Sequence, residues 1–206
     1  MQKTKPNSLN YPHINTYFTL QGEGKYVGNP SVFLRLAGCN VGCVWCDIKE
    51  SWPAENFPLK STQELVKEVN QYETNMVVIT GGEPAMYDLT ELCSALKEHG
   101  KIIHIETSGA YELKGNFDWI TLSPKKFKAP VPSILSRTDE LKVIVFNSSD
   151  FEWAEKYAEM LQPNTELYLQ AEWDKKEEMF PLILDYIEKN PQWKLSVQTH
   201  KYLGIE

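Results

Sequence analysis

Short runs of aliphatic and β-branched residues alternate along the chain with segments of helical periodicity, and this alternation constrains the fold most strongly. Seven apolar runs predict strands, at 31–37, 76–80, 101–106, 118–122, 140–146, 166–170 and 194–198. Capping boxes at Ser61/Glu64 and Asp88/Glu91 predict helices over about 62–73 and up to Gly100. Strands that alternate with helices predict parallel βαβ units covered by helices.

Two further helices are predicted in the second half of the chain. Asp150 opens one that Pro163 ends, and Asp174 opens another that runs to about Asn190 with a kink at Pro181. The 206 residues are too few for a closed eight-fold barrel of about 250 residues. We therefore predict an α/β protein with an incomplete, open β/α barrel. No repeat or linker divides it, so 1–206 is predicted to be one domain with a mobile tail at about 1–10.

Charge and hydropathy exclude several classes of partner. The chain has 21 Lys and Arg against 28 Asp and Glu, a net charge of −7, which argues against nucleic-acid binding. No apolar run approaches the roughly 18–20 residues of a membrane span, and the first residues lack a signal-peptide core. Phosphate-loop motifs are also absent from the sequence. These features predict a cytoplasmic protein without a membrane or nucleic-acid partner.

Three of the four cysteines lie within eight residues, directly after the first predicted strand. Cys39, Cys43 and Cys46 have the spacing C-x3-C-x2-C. Three thiolates on one loop can surround a single inorganic core, and adjacent glycines allow the backbone to turn around it. Val44 and Trp45 are expected to screen that core from water. An ordinary iron–sulfur cluster takes four cysteines, so three would leave one iron open to an exogenous ligand.

Other interpretations of the cysteines remain open at this point. A structural zinc site would need a fourth ligand, which His13, His99, His104 or His200 could supply. A Cys43–Cys46 dithiol switch would leave Cys39 unexplained. A structural disulfide is the least expected of these in a cytosolic chain. The fourth cysteine, Cys93, lies in a helical pattern and is predicted to be a buried structural thiol.

Polar residues follow several predicted strands where ligands bind in parallel α/β folds. Gly81 and Gly82 of the segment TGGEP (80–84) expose backbone groups, and Glu83 adds an acceptor suited to an α-ammonium group. Similar segments are ETSG (106–109), SPK (123–125) and the strand-terminal Gln170. The alternative for TGGEP is a plain strand-to-helix turn, and any one of the other polar residues could have no role.

A further group of residues suits a carboxylated heterocycle. Alternation along 31–37 puts Arg35 on the face opposite Val32, Leu34 and Leu36, and its planar fork suits a carboxylate. In the segment LQGEG (20–24), Gln21 and Glu23 offer hydrogen-bonding groups to an amino-imine edge such as that of a pterin. The alternatives are a structural ion pair for Arg35 and a Gly-rich turn for LQGEG.

The chain closely resembles the 7-carboxy-7-deazaguanine synthase family of the radical S-adenosylmethionine (SAM) superfamily. The resemblance runs from about residue 14 to the end and rests, in order, on LQGEG, the in-strand Arg, C-x3-C-x2-C-D, TGGEP, ETSG, SPK and QTHKYLGI. It implies a homodimeric lyase that converts 6-carboxy-5,6,7,8-tetrahydropterin into 7-carboxy-7-deazaguanine with loss of ammonia, for queuosine and other 7-deazapurines. A 5′-deoxyadenosyl radical would abstract hydrogen from C6 of the substrate, and the SAM would be regenerated.

The resemblance also implies roles for individual residues. A [4Fe-4S] cluster would be held by Cys39, Cys43 and Cys46 and reduced by a donor such as flavodoxin. SAM would be bound by Gly82, Glu83, Ser108, Ser123, Pro124, Lys125 and Gln170. The pterin would be bound by Leu20, Gln21, Gly22, Glu23, Arg35 and Thr80.

One position departs from the family pattern. The family often has Ser or Thr two residues after the third cysteine, as a ligand to Mg²⁺, and this chain has Ile48 there. The resemblance therefore leaves Mg²⁺ in question, as it does the role of the C-terminal Glu206. Two alternative functions are a glycyl-radical-enzyme activase, which has no evident use for LQGEG or Arg35, and a non-catalytic zinc-binding module.

Overall fold

A computed structural model describes residues 9–205, and its nine strands form one sheet. The strands are β1 Asn10–Leu20, β2 Pro30–Leu36, β3 Leu59–Ser61, β4 Met76–Gly81, β5 Ile102–Thr107, β6 Trp119–Leu122, β7 Glu140–Val145, β8 Glu166–Ala171 and β9 Trp193–Ser196. The α-helices are α1 Thr62–Val69, α2 Thr90–Glu98, α3 Pro132–Leu135, α4 Ser149–Ala158, α5 Lys176–Lys189 and α6 Thr199–Leu203.

The sheet is an open barrel wall. Its order is β3-β1-β2-β4-β5-β6-β7-β8-β9, with parallel pairing from β2 to β9 and antiparallel pairing of β1 with β2 and β3. Within residues 9–205, β9 and β3 do not pair with each other. The predicted open β/α barrel is therefore confirmed, and all seven predicted strands are present within two residues of their expected ends.

Alternation along the parallel strands separates an apolar face from a polar one. On β2, Val32, Leu34 and Leu36 are fully buried in the hydrophobic core. The intervening Phe33 and Arg35 face the inside of the barrel and line its cavity. The apolar faces thus pack the strands onto the helices, while the inner face is left for polar chemistry.

The two predicted capping boxes have different outcomes. At α1, the Ser61 hydroxyl accepts from the Glu64 amide and the Glu64 carboxylate accepts from the Ser61 amide, as predicted, although the helix ends at Val69 rather than near 73. The box at α2 is wrong. The N-cap is one residue later than expected, so Asp88 accepts from the Thr90 amide at 3.1 Å and Glu91 does not complete a box.

Helix α4 is shorter than predicted. It ends at Ala158, five residues before Pro163, so the proline does not end it. Asp150 lies in its first turn, where one carboxylate oxygen accepts from the amides of Phe146 and Asn147. The residue therefore stabilises the turn between β7 and α4 in place of capping the helix.

Helix α5 begins at Lys176, two residues after the expected Asp174. A 3-10 turn at Trp173–Lys175 precedes it, and the Glu172 carboxylate caps that turn by accepting from the Lys175 amide. Pro181 lies inside α5, as predicted.

Strand β1 was not predicted. The expected mobile tail at about 1–10 lies mostly outside the described residues, and Asn10 is already the first residue of β1. The strand mixes Asn, His and Thr with aromatic residues, and pairing on both sides holds it extended. Such pairing is a tertiary effect that local apolar patterning does not reveal.

None of the helices in the described part of the chain is long and apolar enough to cross a membrane.

Candidate active site

The carboxyl ends of the parallel strands and the loops after them enclose a cavity of about 450 Å³. Every residue predicted for the site except Pro124 lines this cavity. They are Leu20, Gln21, Gly22, Glu23, Arg35, Cys39, Cys43, Cys46, Thr80, Gly82, Glu83, Ser108, Ser123, Lys125 and Gln170. The Pro124 carbonyl accepts a hydrogen bond from the Trp153 indole at 3.3 Å.

The three clustered cysteines lie together at one wall of the cavity. Cys43 is buried with Val41 and Ala110, and Cys39 and Cys46 pack against this small apolar group. Burial raises the pKa of the Cys39 and Cys43 thiols, so their thiolates are costly unless a positively charged centre binds them. Three such thiols on one loop are a donor set that fits an iron–sulfur core with one open iron.

The loop geometry does not suit a single metal ion. Among residues 9–205, no group of three or more His, Cys, Asp or Glu side chains is placed to hold one. A structural zinc ion needs four ligands at about 2.0–2.3 Å. The zinc interpretation is therefore not supported by the arrangement of these residues.

The expected screening of the cysteines is half correct. Trp45 is half-buried and packs against the cysteine group, with the Lys125 ammonium 5.1 Å from its ring centre. Val44 is 64% exposed and does not line the cavity, so it does not act as a screen. Val44 therefore lies on the outer side of the loop, whereas Trp45 lies on the inner side with the cysteines.

The two glycines of TGGEP bring the β4 loop onto the cysteine loop. A Cβ on Gly82 would overlap the Gly38 carbonyl oxygen and lie 3.2 Å from the Cys39 Cβ. Backbone bonds complete the contact, from the Gly82 amide to Leu36 and from the Glu83 amide to Gly38, each at 2.8 Å. The Gly-Gly pair therefore does more than form a turn: it fixes one ligand loop against another.

Glu83 is buried and joins the loops after β4 and β5. One carboxylate oxygen accepts from the Ala85 amide at 2.9 Å and the Thr107 hydroxyl at 2.5 Å. The other accepts from the Ser108 amide at 2.8 Å and from the Ser108 hydroxyl. Since a carboxylate offers about four acceptor sites, these four donors satisfy it within the protein.

Arg35 is a half-buried cation that no carboxylate within residues 9–205 neutralises. It lies on β2 beside Thr80 of β4 and lines the cavity. Within residues 9–205 the guanidinium takes part in no ion pair, so the structural ion pair that the sequence left open is not found there. Its fork remains available to an anionic ligand.

Lys142 is a buried cation of the cavity lining that the sequence analysis missed. Its side chain is 4% exposed on the inner face of β7, where it forms ion pairs with Glu23 and Glu106, the latter at 2.9 Å. The two carboxylates also accept from side-chain amides, Glu106 from Gln21 at 3.1 Å and Glu23 from Gln198 at 3.0 Å. The signal in the sequence was a lysine between Leu141 and Val143 in an apolar strand.

The charges in this group hold each other ionised. Burial opposes ionisation of Glu23, but the Lys142 charge and hydrogen bonds from Lys142 and Gln198 outweigh it and lower its pKa to about 2. Burial likewise opposes the charge of Lys142, yet Glu106, Glu23 and Glu140 together raise its pKa above the usual range. At neutral pH the Glu23 carboxylate is therefore ionised and acts only as an acceptor.

The C-terminal helix closes one side of the cavity. Thr199 donates from its amide and its hydroxyl to the Gly22 carbonyl, each at 3.0 Å. A Cβ on Gly22 would overlap the His200 ring, so this loop and α6 fit only with glycine. Burial lowers the pKa of His200, which is therefore a neutral imidazole at the cavity wall.

The open barrel with a three-cysteine loop at the carboxyl end of its first parallel strand defines a class of protein. The family model described as the radical SAM superfamily matches residues 34–203. The class is therefore that of the radical SAM enzymes, and the match includes the three cysteines and the strands that carry the cavity.

Relatives specify the family within this class. A 7-carboxy-7-deazaguanine synthase of Synechocystis sp. is 50% identical over 96% of this chain and 95% of the relative. The synthase of Flavobacterium psychrophilum is 48% identical over 94% of this chain and 92% of the relative. The synthase of Escherichia coli K12 is 34% identical over 96% of this chain and 100% of the relative. The chain belongs to the 7-carboxy-7-deazaguanine synthase family.

A solved structure agrees with this assignment. The crystal structure of QueE from Escherichia coli matches with a TM-score of 0.82 and 30% identity, over 91% of this chain and 93% of that one. The predicted family, fold and enzyme class are thus confirmed, and the activase and zinc-module alternatives are not favoured.

Proposed function

We propose that the chain converts 6-carboxy-5,6,7,8-tetrahydropterin into 7-carboxy-7-deazaguanine with loss of ammonia, as a radical SAM lyase of 7-deazapurine biosynthesis. The observation that carries this proposal is one cavity lined by the three-cysteine loop, by Arg35, which has no ion-pair partner within residues 9–205, and by the carboxylates of Glu23 and Glu106. A glycyl-radical activase would not need the arginine–carboxylate set, because its substrate is a backbone glycine of another protein.

The cysteine wall of the cavity is the proposed cofactor side. Cys39, Cys43 and Cys46 would hold a [4Fe-4S] cluster, which when bound and reduced supplies the electron for reductive cleavage of SAM. The proposed SAM-binding residues lie at successive strand ends and are Gly82, Ser108, Ser123, Lys125 and Gln170, with Pro124 shaping the SPK turn. Glu83 would act through the loops that it joins, since its oxygens already accept from Thr107 and Ser108.

The part of the cavity wall formed by the ends of β1, β2, β4 and β5 is the proposed substrate side. Arg35 would bind the substrate carboxylate with its planar fork. Glu23, kept ionised by Lys142, and Glu106 would accept hydrogen bonds from the amino and imino groups of the pterin. Leu20, Gln21, Gly22 and Thr80 line the same wall and would complete the contact surface.

The remaining features of the enzyme follow from the family. We propose one radical SAM domain over 1–206, a cytoplasmic homodimer, and an electron donor such as flavodoxin, with no nucleic-acid or membrane partner. If Mg²⁺ takes part, substrate and water would hold it, because Ile48 lines the cavity without a ligand atom. The Ser51 hydroxyl also lines the cavity, where it donates to the Ile48 carbonyl at 2.7 Å.

Anaerobic reconstitution with iron and sulfide, followed by mass spectrometry of the products, tests the proposed reaction. With carboxytetrahydropterin, SAM and a reductant, we expect 7-carboxy-7-deazaguanine and ammonia in equal amounts, with SAM not consumed in proportion. Cleavage of SAM without any conversion of the pterin would contradict the proposed substrate and reopen the activase alternative.

A further inference from the structure

Lys128, in the loop between β6 and α3, is held against the cysteine loop. Its ammonium donates to the Asn40 carboxamide oxygen at 2.9 Å and to the Tyr111 hydroxyl at 2.7 Å. The Tyr111 hydroxyl in turn donates to the same Asn40 oxygen. Asn40 directly follows Cys39 in sequence, and Tyr111 packs against the apolar group that includes the buried Cys43. Two side chains therefore fix one ammonium beside the three clustered thiols.

The charge of Lys128 is not neutralised by a carboxylate. Its two hydrogen-bond partners are neutral, and the face of the Tyr111 ring lies 4.0 Å from the ammonium. Within residues 9–205, Lys128 takes part in no ion pair. The nearby Lys126 differs, because it pairs with Asp150 at 2.7 Å. In a chain of net charge −7, an uncompensated cation at this place opposes the field of the whole molecule.

Lys128 acts on the cysteine loop and not on a ligand of the cavity. Lys125, three residues earlier, lines the cavity and donates to the Ser123 hydroxyl at 2.6 Å. Lys128 is not among the lining residues, although it belongs to the same loop. Lys125 is thus placed to contact bound SAM, whereas the contacts of Lys128 lead to the side chain next to Cys39.

We propose that Lys128, held by Asn40 and Tyr111, raises the reduction potential of an iron–sulfur cluster bound at the cysteine loop. The proposal rests on the proposed function, because it requires a cluster at these cysteines. Reduction adds one electron to the cluster, from a donor that is oxidised, and no bond forms or breaks. Three thiolates already make the site negative, so a fixed positive charge beside it stabilises the reduced form more than the oxidised form.

The electrostatics of the thiols support this role. Burial and the Glu83 carboxylate raise the pKa of the Cys39 thiol, and the Lys128 charge acts in the opposite direction. The field of Lys128 therefore reaches the first of the three thiols and favours negative charge there. Because the ammonium is held by two hydrogen bonds, its charge stays in place when the electron arrives.

A redox titration of the reconstituted protein measures the effect directly. Lys128→Met removes the charge, and Lys128→Arg keeps it. Lys126→Met is the matched control on the same loop, because the charge that it removes is already compensated by Asp150. The readout is the electron paramagnetic resonance signal of the reduced cluster against applied potential, recorded without SAM or pterin and scaled to the iron content of each protein.

We expect Lys128→Met to lower the ratio of reduced to oxidised cluster at a fixed potential about tenfold, a shift of about 59 mV for one electron. Lys128→Arg and Lys126→Met should keep the wild-type potential. The signal comes only from chains that carry a cluster, so the potential can be read even if Lys128→Met binds less iron.

Three results would overturn the proposal. One is equal potentials in the wild type and Lys128→Met, and another is an equal shift in Lys126→Met, which would show that net charge alone matters. The third is a loss of iron in Lys128→Met with an unchanged potential in the remaining clusters, because Lys128 would then only hold the loop. A wild type that binds no cluster would contradict the proposed function as well, whereas an unshifted potential in a loaded variant contradicts this inference alone.

Discussion

At the scale of single residues, the two cations inside the cavity differ in how their charge is compensated. Lys142 faces two carboxylates and belongs to the protein's own electrostatic network. Arg35 faces none within residues 9–205, although it lies on the same inner surface. A half-buried charge without a partner is costly unless a ligand supplies the counter-charge. The substrate carboxylate is the counter-charge that we assign to it.

Replacing Arg35 by lysine tests that assignment. We expect Arg35→Lys to lower kcat/KM for the pterin about tenfold or more, since the lost charge-assisted hydrogen bond is worth ~1.5–3 kcal/mol. Arg137→Lys is the matched control, because Arg137, the other arginine of the chain, donates only to the carbonyls of Leu113 and Gly115. The measurement is steady-state kinetics of the two variants and the wild type at equal iron content. An unchanged KM for the pterin in Arg35→Lys would assign the arginine a structural role.

The residue at position 48 determines the expected response to Mg²⁺. Mg²⁺ prefers octahedral oxygen ligands, and Ile48 presents only methyl and methylene groups to the cavity. Asp47, the nearest carboxylate in sequence, pairs with Lys201 at 2.9 Å. We expect weak Mg²⁺ dependence in the wild type and a stronger one in Ile48→Thr, measured as turnover against Mg²⁺ concentration with chelator controls. A strong requirement that Ile48→Thr leaves unchanged would point to another ligand.

At the scale of the elements, the site depends on how closely the loops after β2 and β4 approach. The contact between Gly82 and Gly38 leaves no room for a side chain. We expect Gly82→Ala to move the β4 loop off the cysteine loop and to prevent full cluster assembly, measured as iron per chain after reconstitution.

Gly28 is the control for this substitution, because an alanine there strains the backbone without meeting a neighbouring loop. Gly28 has a φ of +85° but open space around its Cβ position. Gly28→Ala should therefore cost only the ~1–2 kcal/mol of a left-handed backbone and keep its iron. Normal iron content in Gly82→Ala would show that the loop contact is not required.

The sequence predicted the elements of the parallel sheet but not those held by long-range contacts. The seven parallel strands have apolar runs strong enough to identify locally. Strand β1 and the short helices α3 and α6 have no such run, and their structure depends on partners distant in sequence, as when Thr199 binds Gly22. Capping succeeded at Ser61, where side chain and backbone bond reciprocally, and failed at Asp88, where Leu89 takes the cap position.

At the scale of the whole molecule, the positions around the cavity could be predicted from motifs, but the interactions across it could not. Glu83 was expected to offer acceptors to a ligand, and instead Thr107 and Ser108 occupy them. Lys142 was overlooked because nothing in its local sequence shows that Glu23, more than a hundred residues earlier, lies against it. The arrangement of the strands in the open barrel brings these residues together, and no single segment encodes that arrangement.

The buried Lys142 group predicts how overall stability depends on pH. The pKa of Glu23 is lowered from an ordinary 4.5 to about 2 in the folded chain. Ionisation of Glu23 therefore stabilises the fold above about pH 4.5, and this stabilisation is lost as the pH falls toward 2. We expect Lys142→Met to lower the free energy of unfolding at pH 7 by ~3–5 kcal/mol, because it leaves carboxylates unpaired.

Urea unfolding at several pH values measures this effect. The difference between wild type and Lys142→Met should shrink as pH is lowered from 4.5 toward 2, since the wild type loses over this range the stabilisation that Glu23 ionisation provides. The exposed Lys189→Met, whose partner Asp185 is also exposed, is the control and should change stability by less than ~1 kcal/mol. A pH-independent difference would mean that Lys142 contributes through packing alone.

The central claim is that the cavity at the cysteine loop is the catalytic centre. Comparing separate alanine variants of two buried cysteines tests this claim most directly. Cys43 and Cys93 are 8% and 0% exposed, but only Cys43 lines the cavity. Each is replaced by alanine, reconstituted anaerobically and assayed by mass spectrometry for conversion of carboxytetrahydropterin. We expect Cys93→Ala to form 7-carboxy-7-deazaguanine with at most a packing loss of ~1 kcal/mol, and Cys43→Ala to form none. Product from Cys43→Ala, or its loss in a folded Cys93→Ala, would contradict the assignment.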